Sequence, residues 1–200
     1  MENYIKKIKE DDFITTSWAG GKTTQMIIYP EGSNYKELDF KFRISSASVE
    51  LEESEFTRLE GVYRFITPLN NSLKLTHDNK NFIEIKPFDI YEFEGGIKTT
   101  SYGKARDFNL MLSNGASGKL KHIKLKGNIV LDIEYNHEIS EIFNIFYSCN
   151  SELEFIADKE KVILNSNELL VFKCDDSHRE KDIKIKAKNL SNILWATILI

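Results

Sequence analysis

Phe40-Lys41-Phe42-Arg43-Ile44-Ser45 alternates apolar and polar side chains one for one. A period of two marks a β-strand, because successive Cβ atoms of a pleated chain point to opposite faces. The stretch sets Phe40, Phe42 and Ile44 on one face and Arg43 with Ser45 on the other. The same period recurs outward along the chain. Leu73 and Leu75 alternate with Lys74 and Thr76, and Leu120, Ile123 and Leu125 sit among Lys119, Lys121, Lys124 and Lys126. Ile129, Leu131 and Ile133 follow, and later Ile183 and Ile185. The chain closes on Ile193-Leu194-Trp195-Ala196-Thr197-Ile198-Leu199-Ile200, a nearly unbroken apolar run that suits a strand covered on both faces.

Turn signals separate these runs: Pro30-Glu31-Gly32-Ser33-Asn34, Asn70-Asn71-Ser72, Asp78-Asn79-Lys80-Asn81, Glu94-Gly95-Gly96, Ser113-Asn114-Gly115, Lys126-Gly127-Asn128 and Asn165-Ser166-Asn167. No helical stripe of three turns is visible. His137 to Tyr147 is the best helix candidate, yet its Ile-Phe-Asn-Ile-Phe-Tyr end reads as strand. Many short strands at close spacing predict an all-β sandwich or barrel. The character of the chain changes near Gly118, with the glycine-rich, arginine-bearing part before it and plain Lys/Ile/Leu alternation after it. Two β modules are expected, residues 1–117 and 118–200, with the distinctive chemistry and the pocket in the first.

The chain has 200 residues, 41% hydrophobic and 29% charged, with a net charge of −4. That balance argues against a general nucleic-acid binder, which needs a basic surplus to displace counterions. No apolar leader and no membrane-length apolar run is visible, so a cytoplasmic protein that does not bind membranes is expected. Cys149 and Cys174 are too few for a zinc site and read as small apolar residues near a core. His77, His122, His137 and His178 show no ligand spacing, and each reads as a surface residue. No metal or other cofactor is expected.

Trp18-Ala19-Gly20-Gly21-Lys22-Thr23-Thr24 imitates a phosphate loop. Thr16 stands where that motif needs a glycine, and the following Gln25–Pro30 reads as strand rather than helix, so nucleotide hydrolysis is excluded. The glycine pair marks either a tight turn or a rim loop over a pocket, with Thr23 offering a hydroxyl. Arg43 and Arg64 are costly to bury unless paired. Either they pair internally with Asp107 or a glutamate, or they line a pocket for a small anion. Asp107, Asn109 and Met111 share one face of a strand, where they either meet water or face inward and demand partners.

Taken in order, Trp18, Gly20-Gly21-Lys22-Thr23, Phe42-Arg43-Ile44-Ser45-Ser46-Ala47, Phe56, Gly61-Val62-Tyr63-Arg64, Leu69, Phe88 to Gly95 and Asp107-Phe108-Asn109-Leu110-Met111 resemble the HutD/Ves family. The resemblance runs from near Ile14 to Leu112. It implies a double cupin, an RmlC-like jelly roll with two β modules in one chain. It also implies a link to histidine utilisation or to the stress-related Ves branch. Family members of the HutD type are thought to bind formylglutamate-like intermediates rather than to catalyse a step. Arg43, Arg64, Asp107 and Asn109 match polar positions of the family pattern, and Thr23 matches its glycine-loop threonine. The chain departs from that pattern in having Gln25 where a glutamate is usual, and Leu112-Ser113-Asn114 where arginines are common.

Three functions follow as expectations. The first is a non-enzymatic binder of a small carboxylate, with Arg43 or Arg64 as clamp and Thr23, Ser45 and Asn109 orienting the ligand. The second is a metal-independent cupin isomerase or lyase with Asp107 or Glu50 as general base. The third is an interaction module that docks a partner along a strand edge. Edge pairing of the cupin kind also makes a homodimer compatible with the resemblance.

Overall fold

The alternation at Phe40–Ser45 becomes a strand, and its neighbours assemble around it into two β units. The computed structural model describes residues 4–133, 139, 141–157, 160–174 and 182–200. In chain order the strands are β1 (Tyr4–Ile8), β2 (Ile14–Trp18), β3 (Gly21–Tyr29), β4 (Phe42–Val49), β5 (Glu53–Glu55) and β6 (Tyr63–Pro68). They continue as β7 (Leu73–Thr76), β8 (Phe82–Ile85), β9 (Tyr91–Glu94), β10 (Thr100–Tyr102) and β11 (Asp107–Leu112). The last six are β12 (Ser117–Asp132), β13 (Ile142–Ser148), β14 (Leu153–Ala157), β15 (Glu160–Leu164), β16 (Leu169–Cys174) and β17 (Asp182–Leu199). A single 3-10 turn, Glu10–Asp12, is the only helical element among the described residues.

One unit is Phe13–Ser117. Its larger sheet has the order β2-β3-β4-β11-β6-β9, and its smaller sheet the order β5-β10-β7-β8. Ile66 and Phe93 of the larger sheet share one core cluster with Leu73, Leu75 and Ile85 of the smaller, which makes the unit a sandwich. A second cluster gathers Phe40, Leu59, Val62 and Met111 at one end of the larger sheet. Gly21 is required where the chain turns into β3, since a Cβ there would stand 1.9 Å from the Ser48 carbonyl oxygen. No other residue allows the backbones of β3 and β4 to approach so closely.

The other unit is Met1–Asp12 with Gly118–Ile200. Its sheet has the order β1-β16-β13-β17-β14-β15, with β12 also on β17. The length of β17 gives it two sets of partners: its later half pairs with β13 and its earlier half with β14. The sheet thereby wraps a core of Phe146, Phe155, Phe172, Ile185 and Trp195. The opening strand, counted with residues 1–117 from sequence, belongs here instead, because Tyr4–Ile8 pairs with Leu169–Lys173 of β16.

Other local readings change as well. Lys126-Gly127-Asn128, read as a turn, lies inside the continuous strand β12. Gly127 adopts φ 97°, a bend that glycine takes without strain. The helix candidate ends as strand β13 from Ile142, while residues 134–138 and 140 lie outside the described residues. Two of the histidines, His77 and His122, are not simply surface residues. His77 is half-buried, bonded through Nδ1 to Thr99 and through Nε2 to Tyr91, each at 2.9 Å. His122 Nε2 meets Asn192 Oδ1 at 2.9 Å. His137 and His178 lie outside the described residues.

Candidate functional site

The inner face of the larger sheet carries its polar residues in register. Met111 of β11 lies opposite Arg43 on β4 and opposite Arg64 on β6, so the two arginines flank one methionine in a single row. The next row holds Gln25, Ser45, Asn109 and Ile66. A bulge between Gln25 and Ile27 resets β3, so that Gln25 and Ile28 both point to the face of Ser45 and Arg43. One row further, Thr16, Thr23 and Ala47 align. From these rows Thr16, Thr23, Arg43, Ser45, Ala47, Arg64, Asn109 and Met111 line a cavity of about 290 Å³. Ser54, Glu55, Phe56 and Thr57, at and beyond the β5 edge of the smaller sheet, also line it, as do Trp18 and Tyr35.

All six residues singled out from sequence line this cavity: Thr23, Arg43, Ser45, Arg64, Asp107 and Asn109. Five of them are buried, from Ser45 at 3% exposure to Arg43 at 6%, and Thr23 is half-buried. The face carrying Asp107, Asn109 and Met111 therefore meets the cavity rather than bulk water. Glu50 is exposed and is not part of the lining, so it drops out as a base.

The two arginines are held differently. Arg43 donates through Nε to Gln25 Oε1 at 2.7 Å and through Nη1 to Ser45 Oγ at 2.9 Å. Its guanidinium carbon lies 4.3 Å from the centre of the Tyr35 ring. Arg64 is gripped by rings instead, 4.8 Å from Phe56 and 5.2 Å from Phe93. Its Nε is buried with no hydrogen-bond partner. Among the described residues neither guanidinium has a carboxylate oxygen within the 4.0 Å of an ion pair. Internal pairing with Asp107, one of the two sequence readings, is not what the structure forms. Burial lowers the proton affinity of both guanidiniums; Tyr35 opposes that at both, and Asp107 opposes it at Arg64.

Asp107 sits 4% exposed, and its Oδ1 accepts the Ala47 backbone N–H at 3.0 Å. Burial pushes its carboxyl up to about 6, against the pull of that N–H, Arg64 and Arg106. The wall thus carries two cations and one carboxyl that is reluctant to ionise. Glu55, also in the lining, is exposed and paired with Lys98 at 3.6 Å. A cavity with this charge balance is suited to an anion.

Sequence reasoning did not find Tyr35, which lies between strands where no periodicity operates. Gln25 was noted only as a departure from a family pattern, although it orients Arg43. Among the described residues no group of three His, Cys, Asp or Glu is arranged to hold a metal, and no helix is long and apolar enough to cross a membrane.

An all-β cupin-like chain with an arginine-lined cavity in one unit is the class this architecture defines. The HutD family model matches residues 10–194, and the chain belongs to that family. Solved structures agree on the fold. The conserved protein PA5104 from Pseudomonas aeruginosa PAO1 superposes with a TM-score of 0.83 at 17% identity, covering 98% of each chain. HutD from Pseudomonas fluorescens SBW25 follows at 0.74 and 20%, again over 98% of each chain. YhhW from Escherichia coli gives 0.70 at 10% identity over 97% of each. No curated protein matches significantly by sequence.

Proposed function

We propose that the Phe13–Ser117 unit is a non-enzymatic receptor for a small carboxylate metabolite. The observation that carries this reading is Arg64: a buried cation, without a carboxylate partner, on the wall of a cavity. A buried cation held by rings and a carboxyl beyond ion-pair distance is costly, and an anionic ligand reduces that cost on binding. The volume suits a molecule at or below the small end of drug-sized ligands. Family membership favours a formylglutamate-like acid and an accessory or regulatory role in histidine utilisation, acting in the cytoplasm, with neither nucleic acid nor membrane as partner. The HutD structure from P. fluorescens was obtained in a formate condition, formate being the smallest carboxylate.

A thermal-shift series with formylglutamate, glutamate, formiminoglutamate, urocanate and histidine tests the reading. Ligand at about 100 times its dissociation constant stabilises by roughly 2.7 kcal/mol, which raises the midpoint by several degrees. Arg64→Met should fold and lose that response. No response from any carboxylate would sink the proposal.

Asp107 favours a second reading. A carboxyl poised near 6 inside a cavity suits a general base, and a metal-independent isomerase or lyase would use it so. Turnover of a bound acid that disappears in Asp107→Asn would install this reading in place of the first.

A further inference from the structure

Asp107 stands in the cavity lining with one oxygen committed and one free. Its Oδ1 accepts the Ala47 backbone N–H at 3.0 Å. Among the described residues its Oδ2 accepts no hydrogen bond, yet it is not one of the sealed, unbonded side-chain atoms of this unit, which are Arg64 Nε and Asn109 Oδ1. Oδ2 therefore keeps accessible surface, in a residue that is 4% exposed overall and lines the cavity.

The other charged and titratable groups in the lining are Arg43 on β4, Arg64 on β6, Glu55 on β5 and Tyr35 in the loop between β3 and β4. Arg106, next to Asp107 in the chain, donates through Nε to Ser46 Oγ at 3.1 Å on the opposite face of the sheet. No histidine lines the cavity, and Glu55 is exposed and paired with Lys98 at 3.6 Å. Among the described residues Asp107 is thus the one buried carboxyl of the lining.

An ionised Asp107 and a bound anion would share one small space of low dielectric, where like charges repel strongly. A protonated Asp107 removes that repulsion and gives the free oxygen a hydrogen to donate. The anion therefore favours the protonated form, and by linkage the proton favours the anion. Burial already holds the carboxyl of the empty site to about 6, which brings the exchange close to neutral pH.

We propose that the cavity binds its anion together with a proton, which Asp107 receives, so that acidification tightens binding and an alkaline shift releases the ligand. The proton comes from solvent and goes to Asp107; no other bond forms or breaks. The proposal rests on the carboxylate reading above and adds the regulation of that site. Asp107 holds its proton while the ligand is bound, whereas a general base would have to be ionised.

Calorimetric titration of the wild-type protein with formylglutamate and with glutarate at pH 6, 7 and 8 tests it. An ordinary carboxylate has a pKa of about 4.3, so both ligands stay ionised across that range. Affinity should fall roughly 10-fold or more from pH 6 to pH 8. Repeating the pH 7 titration in buffers of different ionisation enthalpy counts protons, and about half a proton or more should be taken up per ligand. Asp107→Asn should still bind, with neither the pH dependence nor the uptake, because its amide is neutral at every pH and offers an N–H to the anion. Level affinity across the three pH values without uptake overturns the proposal and leaves the carboxylate reading standing. Tighter binding at pH 8 than at pH 6 does the same. Failure of both acids to bind at every pH overturns both. Uptake that persists in Asp107→Asn shows that another group receives the proton, and overturns the role given to Asp107. The wild-type proton count is read whether or not the variant folds.

Discussion

The two β units solve the same problem with opposite chemistry. Each sheet must cover an inner face. In the unit of Met1–Asp12 and Gly118–Ile200 that face is filled with rings: Phe146 stacks on Trp195 at 5.6 Å and meets Phe155 at 5.1 Å and Phe172 at 5.9 Å. Its buried Asn144 accepts through Oδ1 from Trp195 Nε1 at 3.0 Å and from Thr197 Oγ1 at 3.3 Å, while its Nδ2 has no hydrogen-bond partner. In the Phe13–Ser117 unit the corresponding wall holds Arg43, Met111 and Arg64 in one row, and the Oδ1 of its Asn109 meets no donor. One interior is filled by aromatic rings, and the other lines a cavity with polar side chains. One unit thus contributes a packed core and the other a cavity with polar walls.

The sharpest way to break the contrast is to open the closed unit. Phe146→Ala removes the ring at the centre of the aromatic cluster and should cost about 3–5 kcal/mol, read as a lowered midpoint in urea. A comparable loss from Arg64→Met would erase the distinction. That variant removes a buried charge that forms no ion pair and should change stability far less than it changes anion binding.

Asp107 gives the next effect. Its folded carboxyl holds its proton to about 6, against an ordinary 3.8, so between those values the folded state binds more protons than the unfolded one. Stability contributed by the protonated form is present below about pH 4. It declines as the pH rises, and the loss is complete above about pH 6, amounting to about 3 kcal/mol. Asp107→Asn keeps an acceptor for the Ala47 N–H and removes that loss. It should match the wild type near pH 4 and exceed it at pH 8, as seen in denaturation curves at both values. An identical pH slope in wild type and variant would remove Asp107 as the group responsible.

The smallest effect sharpens the site's charge balance. Gln25→Glu sets a carboxylate against Arg43 Nε, in place of the present neutral acceptor at 2.7 Å. Anion affinity should fall by about 1 kcal/mol, near fivefold, in a titration at low salt. An unchanged affinity would mean that Arg43 does not contribute to the field felt by the ligand.

Much of this was legible in the chain itself. Period-two alternation gives strands because the pleat leaves no other arrangement of the side chains, and arginine, aspartate and asparagine at inward positions announce a face that cannot be plain core. The six residues so marked do meet at one cavity. What the sequence could not decide was which polar groups satisfy one another, since that depends on register between strands far apart in the chain. Arg43 is bonded by Gln25, 18 residues away, and Asp107 by Ala47, 60 residues away. Nor could it place β1, whose partner β16 lies more than 150 residues on, or carry β12 through Gly127, where a turn signal in isolation becomes a bend once a neighbouring strand supplies the pairing. Local chemistry determined the strands and the polar inventory of the site. Only the tertiary pairing decided that Arg64 Nε and Asn109 Oδ1 remain unsatisfied, because a hydrogen bond is settled by the distance between two atoms and not by the residues' identities.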